Sequence, residues 1–250
     1  MDLPLPKNVK MLAPQEKFRF ACHPQVSCFT DCCRDLELAL TPYDVLRLKR
    51  ALEMHSHAFL DRYVIIEQTE QETFPRLYLT MVDDGRASCP FVSAAGCNVY
   101  TDRPGACRTY PLGRAVSRDL QGGCTEFYVL LSEPHCHGHH AASTKAFTVA
   151  TWTEDQGLAP YNAANDALLP LIQHELVKQG RKLTPKEKEL FLIALYDLDT
   201  FRDFLRQTAR SGLNLRMPEN TTYRFADDTD LLNFAVRWLE NELFGEKAGP

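Results

Sequence analysis

The segment CHPQVSCFTDCCRD, residues 22–35, carries four cysteines, and the last two of them are adjacent in the chain. Neighbouring side chains of an extended chain point in opposite directions, and in a helix they diverge by about 100°. Cys32 and Cys33 are therefore poorly placed to bind one tetrahedral ion together. We expect the pair to serve two ions, or two atoms of a polynuclear cluster.

Five more cysteines follow, and none occurs after residue 136. They are Cys89, Cys97 and Cys107 in CPFVSAAGCNVYTDRPGACRTYP, and Cys124 and Cys136 in CTEFYVLLSEPHCHGHH. A disulfide or thiol-relay protein would use a Cys-x-x-Cys spacing, which does not occur, and cytosolic thiols are kept reduced. Unrelated structural thiols have no reason to crowd into loops rich in proline and glycine. The cysteines therefore favour metal binding.

Two four-thiolate sites require eight ligands, one fewer than the nine cysteines of the chain. Cys124 stands in the apolar segment CTEFYVLL, and we expect it to be a buried structural thiol. The predicted metal ligands are Cys22, Cys28, Cys32, Cys33, Cys89, Cys97, Cys107 and Cys136. His137 is an alternative ligand at a zinc site, whereas His139 and His140 are expected to face solvent.

Eight thiolates would add eight negative charges to a chain with a formal net charge of −5, so cations should lie close by. Arg34, Arg103, Arg108 and Arg114 lie near the cysteines in sequence. Arg34 and Arg108 directly follow a cysteine, and we take them as candidate cofactor-binding residues. The alternative interpretation is that these arginines are solvated surface residues.

Composition excludes several other classes of protein. The 44% hydrophobic and 24% charged residues are typical of a soluble globular chain, and no run of Lys or Arg would bind a nucleic-acid backbone. Neither a secretory signal nor an apolar stretch of about 18 residues is found, so we expect a cytoplasmic protein without a membrane partner. No Ser-His-Asp, paired-carboxylate or glycine-rich phosphate motif is recognised.

The pattern outside the cysteines predicts a mainly α fold with a small β-hairpin. Helices are expected to begin at Thr41, Ser56, Thr184 and Asp230, with capping boxes at Thr41–Asp44 and Thr184–Glu187. A hairpin is expected around the Asp84–Gly85 turn, with Leu77, Leu79 and Met81 on one face. We expect a metal-binding region over 18–140, packed as one unit with a helical region over 141–250.

The cysteine blocks occur in an order that resembles a known family. The CC pair and TPYD helix start, then CPFV and GCNVY, then DRPGACRTYPLGR, resemble the CxxCxxCC-type family of zinc- or iron-chelating proteins, also called YkgJ-like cysteine-cluster proteins. The likeness covers roughly residues 20–115. The first block departs from it, because its gaps are five and three residues where the family has two and two.

The resemblance implies metal binding more than a reaction. A related protein, flagellin lysine N-methylase, is associated with an iron–sulfur centre and methyl transfer from S-adenosylmethionine, but no residue here outside the cluster matches an assigned motif. We expect a polynuclear thiolate centre, iron–sulfur or two zinc ions, with redox or methyl-transfer chemistry on an unidentified small molecule or protein. The alternative is a zinc-stabilised structural or interaction module.

Overall fold

The computed structural model of the chain describes residues 5–119, 122–140, 145–211 and 225–245. The strands are β1 (Val9–Met11), β2 (Phe18–Arg19), β3 (Val64–Glu67), β4 (Arg76–Leu79), β5 (Val92–Ser93), β6 (Gly96–Cys97), β7 (Leu112–Arg118), β8 (Cys124–Leu131) and β9 (Ala146–Phe147). The helices are α1 (Pro42–Ala51), α2 (Ser56–Tyr63), α3 (Gly105–Thr109), α4 (Val149–Asp155), α5 (Ala159–Ala167), α6 (Leu169–Ile172), α7 (Glu175–Lys178), α8 (Pro185–Leu195), α9 (Leu198–Ser211) and α10 (Asp228–Phe244). Helices contain more residues than the short antiparallel sheets, so the mainly α prediction is confirmed in this coarse form.

By its internal contacts the chain groups into two compact units. The thiol unit comprises Met1–Leu38 and Thr80–Asn162, and the helical unit comprises Ala39–Leu79 and Ala163–Pro250. All nine cysteines belong to the thiol unit. Residues 39–79 group with the C-terminal helices, although they lie inside the predicted metal-binding region of residues 18–140. The domain division at residue 140 and the packing of the two predicted regions stay predictions.

The thiol unit is built on a small antiparallel sheet and an aromatic core. The sheet has the strand order β1-β8-β7, and β2 pairs separately with β9. Phe18 and Phe20 meet the Trp152 ring edge-on at centroid distances of 5.7 and 5.8 Å. Because Phe20 lies two residues before Cys22, burial of its ring fixes the start of the cysteine segment.

The helical unit packs α8, α9 and α10 together with α1 and α2. Its core includes Phe201 and Trp238, whose rings lie 5.1 Å apart, and both residues are almost fully buried. Phe234 and Trp238 of the last helix are buried in this core, whereas Phe244 near its end is half-buried. Within the described residues, no helix is both long enough and apolar enough to cross a membrane.

Four helices have predicted starts, and at two of them the capping residue differs from the predicted one. The Thr41 and Thr184 capping boxes are both present, so those predictions are confirmed. The cap of α2 is His55, and Ser56 is the first helical residue, so the predicted cap is wrong by one position. The cap of α10 is Asp227, because its carboxylate accepts the N–H groups of Thr229 and Asp230. The sequence also predicts a helix around Phe201, Phe204 and Leu205 that closes at Gly212, and that position lies outside the described residues.

The predicted hairpin forms with a different partner. Strand β4 pairs with β3, joining Leu79 to Val64, whereas the Asp84–Gly85 turn closes only one isolated bridge, between Val82 and Ser88. The Asp84 carboxylate accepts the N–H groups of Arg86 and Ser88, which bends the chain away from a longer ladder. Leu77 and Leu79 are buried on one face as predicted, and Met81 is half-buried.

Candidate metal centre

The two adjacent cysteines lie in a short 3₁₀ turn, Asp31–Cys33. A 3₁₀ helix has three residues per turn, so consecutive side chains point about 120° apart. The turn is held between two residues with left-handed backbone, Thr30 at φ 69° and Asp35 at φ 52°. Left-handed backbone is rare for a β-branched residue such as Thr30 and is concentrated at functional sites. The Cys32 and Cys33 thiols are hydrogen-bonded to each other, yet their other neighbours differ.

Four thiols form the first group, which contains Cys22, Cys28, Cys32 and Cys136. The Cys22 thiol interacts electrostatically with the other three. Two hydrogen bonds join the segment that begins at Ala21 to the segment that follows Cys136. The Ala21 N–H donates to the Gly138 carbonyl at 3.0 Å, and the His137 N–H donates to the Cys28 sulfur at 3.1 Å. These contacts bring together cysteines that are more than one hundred positions apart in sequence.

The other four thiols form the second group, which contains Cys33, Cys89, Cys97 and Cys107. The Cys33 thiol interacts with those of Cys89 and Cys107, and Cys89 interacts with Cys97. The Cys89 N–H donates to the Cys33 carbonyl at 2.8 Å, and the β5–β6 pairing places Cys97 opposite Val92. Cys107 lies in the short helix α3. The adjacent pair is thus divided, with Cys32 in the first group and Cys33 in the second.

Backbone N–H groups point at several of these sulfurs in the same local arrangement. The sulfurs of Cys89, Cys97 and Cys136 each accept a hydrogen bond from the N–H two residues later in the chain. In all three cases burial raises the pKa of the thiol, and the N–H donor lowers it. An N–H donor stabilises a thiolate, and hydrogen bonds to sulfur are a recognised feature of metal–thiolate sites. The donor set therefore fits a thiolate-bound metal.

Neighbouring groups shift the pKa values of the Cys22, Cys32 and Cys33 thiols. Burial, followed by the thiols of Cys32, Cys28 and Cys136, raises the pKa of Cys22 to about 11. Within the adjacent pair, the hydrogen bond between the thiols lowers the pKa of Cys32 and raises that of Cys33. In the part of the chain that the structure describes, no three Cys, His, Asp or Glu side chains are already closed around one point. The thiols are gathered, and metal binding would have to close each group.

The two arginines predicted to bind a cofactor are held by protein acceptors. Arg34 donates to the Thr30 carbonyl at 2.6 Å, and Arg108 donates to the carbonyls of Thr101 and Gln156, each at 2.5 Å. Both guanidinium groups therefore stabilise loops around the cysteines. The Nε of each is buried and has no hydrogen-bond partner among the described residues, so one donor per arginine is unused. Their contact with a cofactor stays a prediction.

Arg103 was predicted only as one of the cations near the cysteines and not as a cofactor-binding residue, yet it interacts with thiols of both groups. It interacts electrostatically with Cys107 and Cys97, and it also lowers the pKa of Cys22. Tyr110 is a second such residue, because burial first and the Cys136 thiol second raise the pKa of its phenol. Both residues stand in the quoted segment DRPGACRTYP, where Arg-Pro and Tyr-Pro flank Cys107, and this was the signal that the sequence offered.

The histidines after Cys136 differ from one another. The Nδ1 of His137 lies 2.6 Å from the Ser27 hydroxyl, and the side chain is exposed. His139 was predicted to face solvent, which is wrong, because its Nε2 lies 2.8 Å from the Leu131 carbonyl and its ring packs against Phe20. His140 is exposed as expected.

Cys124 lies apart from both groups, but not for the predicted reason. It is exposed rather than buried, because it begins β8 at the end of the long β7–β8 hairpin, opposite Arg118. A strand advances roughly 3.4 Å per residue, so Cys124 is about 24 Å from the other end of β8 at Leu131. Cys136 follows that other end, which explains the separation of Cys124 from the remaining thiols.

Taken together, the thiol unit has the features of a thiolate metal-binding domain. Comparison with known families agrees with this class: residues 21–137 match the CxxCxxCC family, described as a "putative zinc- or iron-chelating domain". This match confirms the resemblance over residues 21–137, slightly less than half of the chain. No match to the chain was found among curated proteins or among solved structures.

Proposed function

We propose that the thiol unit binds a polynuclear metal centre composed of two adjoining parts, one held by each group of four thiols. The first part would use Cys22, Cys28, Cys32 and Cys136, and the second would use Cys33, Cys89, Cys97 and Cys107. Cys124 takes no part. The family description supports zinc or iron binding in general, and the division into two parts is our own inference.

One observation carries this proposal: the Cys32 and Cys33 thiols touch, yet each has a different set of cysteine neighbours. A single tetrahedral ion that used both thiols would leave the remaining six cysteines without a common centre. Two parts joined at the pair account for all eight thiols. Thiolates bind metal only after losing their protons, so the N–H donors to sulfur and nearby cations reduce the cost of assembling eight of them.

Among polynuclear centres we favour iron–sulfur. Such clusters are held by four cysteines each, and hydrogen bonds to the sulfurs tune their reduction potential, which matches the N–H groups aimed at Cys89, Cys97 and Cys136. When bound, the group would supply one-electron transfer. The residues of this chain would hold it, limit its exposure to water and set its charge environment.

A second candidate is a zinc-stabilised structural module, and one observation favours it. Each group supplies four thiols, which fill the coordination of a tetrahedral zinc ion and leave no open position. The segments that carry the thiols are short strands and turns, so closed zinc sites would cross-link loops that have little secondary structure of their own. For the same reason, a filled four-thiol site favours electron transfer or structure over binding of S-adenosylmethionine at an open position.

The experiment is to purify the full chain without oxygen and to measure iron, zinc, acid-labile sulfide and the visible spectrum. Iron and acid-labile sulfide in near-equal amounts, in a coloured protein with broad visible absorption, support the favoured iron–sulfur centre. Stoichiometric zinc in a colourless protein, with unfolding after metal removal, supports the second candidate. Protein that contains neither metal in substantial amount and stays folded would overturn both.

A further inference from the structure

Arg103 is a buried cation whose hydrogen-bond acceptors are all neutral. It is only 8% exposed, and its guanidinium lies over the Tyr100 ring at 3.9 Å from the ring centre. It donates to the Tyr100 carbonyl at 2.7 Å and to the Gln156 side-chain oxygen at 2.6 Å. These contacts fix the position of the group without compensating its charge.

No carboxylate among the described residues forms a salt bridge with Arg103. Arg181 offers a contrast, since it also lies over an aromatic ring and donates to a backbone carbonyl, but it pairs with the Glu187 carboxylate at 2.6 Å. Burying a charge without a counter-charge is costly, and buried charges in proteins are normally paired or lie against a metal site. Arg103 therefore requires negative charge from another source.

The thiols are the groups that can supply it. Arg103 interacts with Cys97 and Cys107 of the second group, and it lowers the pKa of Cys22 in the first group. The other cation close to it is Arg108, which adds positive charge and increases the need for an anion. A centre of eight thiolates would carry more negative charge than two divalent ions neutralise.

We propose that Arg103 is the shared counter-cation of the two thiol groups, a positioning residue that stabilises both parts of the centre at once. Stacking on Tyr100 and the hydrogen bond to Gln156 fix the guanidinium where it interacts electrostatically with Cys22 of the first group and with Cys97 and Cys107 of the second. This inference rests on the proposed function. It predicts that loss of the single positive charge weakens metal retention by both groups.

The test measures how much chelator removes half of the bound metal, with EDTA for zinc and bathophenanthroline for iron. Arg103→Gln removes the charge, and Arg103→Lys retains it. Gln156→Glu leaves Arg103 unchanged but gives it a carboxylate partner in place of an amide of the same shape. We expect Arg103→Gln and Gln156→Glu to lose half of their metal at a chelator concentration about 10- to 100-fold lower than the wild type requires. In Arg103→Lys, the required concentration should return most of the way to the wild-type value.

Arg181→Gln is the matched control, because it removes a similarly placed arginine from the helical unit. It should lower thermal stability and leave the chelator requirement at the wild-type value. A purely structural Arg103 would give the opposite pattern: Gln156→Glu, which adds an ion pair, would retain metal like the wild type, and that result would overturn the inference. Wild-type protein without metal would instead overturn the proposed function on which the inference rests.

Discussion

The thiols of Cys32 and Cys33 are hydrogen-bonded to each other, yet Cys32 interacts electrostatically with Cys22 whereas Cys33 interacts with Cys89 and Cys107. Both residues belong to the 3₁₀ turn Asp31–Cys33, in which successive residues are offset by about 120° around the turn axis. The doubled cysteine is thus the junction of two thiol groups, and several measurable consequences depend on it.

Substitution of either member of the pair should affect a different half of the centre. We expect Cys32→Ser and Cys33→Ser each to lower bound metal by about half, because each removes one of four ligands from one group. Metal analysis by plasma mass spectrometry gives the amount, and alkylation identifies the freed thiols. Cys32→Ser should expose Cys28 and Cys136, and Cys33→Ser should expose Cys89 and Cys107. If either variant exposes all the thiols equally, the centre is not divided.

Cys124→Ser should leave the metal content unchanged. Cys124 is exposed at the end of the β7–β8 hairpin and lies about 24 Å along the strand from the segment that leads to Cys136. The thermal stability of the Cys124→Ser variant should also stay close to that of the wild type, since substitutions at exposed positions usually change the free energy of unfolding by about 0.5 kcal/mol or less. Loss of metal comparable to that of Cys32→Ser would show that the wrong cysteine was set aside.

Gly138→Ala should disturb the first thiol group. A Cβ at this position would lie 2.5 Å from the Phe20 ring and 2.7 Å from the Ala21 carbonyl, and the Gly138 N–H also donates to the Cys136 sulfur. We expect a loss of about 1–3 kcal/mol in the free energy of unfolding, together with reduced metal retention. Urea denaturation and metal analysis check the two effects.

Gly85→Ala is the control for that variant. Gly85 has φ +74°, and a methyl group added to its Cα would meet no described atom within 4 Å, so only backbone strain of about 1 kcal/mol is expected. Its metal content should equal that of the wild type. If Gly138→Ala behaves in the same way as Gly85→Ala, the close approach of Gly138 to Phe20 does not position Cys136.

The helical unit should lose stability in acid through Lys49. This buried lysine lies 2.9 Å from Asp199 and 3.0 Å from Asp228. Burial raises the pKa of both carboxyls, but Lys49 outweighs it together with Ser56 at Asp199 and with Arg202 at Asp228, and each pKa is below its ordinary value. The stabilisation is therefore present above the unfolded pKa of about 3.9 and is lost as pH falls through the lower folded values.

Lys49→Met should accordingly lower the free energy of unfolding by about 3 kcal/mol at pH 7, because it leaves two partly buried carboxylates without their shared cation. The difference from the wild type should shrink as the pH falls from 7 to 3 and then through the lowered folded pKa values of the two carboxyls. Urea unfolding followed by circular dichroism at both pH values measures this. Lys178→Met, which breaks an exposed pair with Glu175, should change little at either pH. A constant difference between wild type and Lys49→Met would contradict the assignment.

The sequence predicts local structure where one chemical rule acts alone. Thr41 and Thr184 are each followed by Pro and by an acidic residue at the third helical position, so both helix starts could be located. Asp227 was missed as a cap because three aspartates occur within four residues, and only the structure shows which one accepts the N–H groups. The partner of β4 was missed because strand pairing depends on which segments meet in space.

For the candidate site, the spacing of the cysteines pointed to metal chemistry, and the adjacent pair pointed to more than one metal atom. The sequence could not assign thiols to groups, since that depends on the Ala21–Gly138 and Cys33–Cys89 backbone contacts. Nor could it distinguish Arg103 from Arg34 and Arg108, because all three lie close to cysteines in sequence. They differ in their surroundings in the folded chain, where Arg103 interacts with thiols of both groups and Arg34 and Arg108 donate to backbone carbonyls.

Alkylation of the native wild-type protein with iodoacetamide, read by mass spectrometry, tests the central claim most directly. In protein purified without oxygen, we predict that Cys124 alone reacts and that the eight thiols of the two groups are protected. After chelation of the metal, all nine cysteines should react. Protection of Cys124, or ready reaction of either group of four before chelation, would contradict a centre held by these two groups.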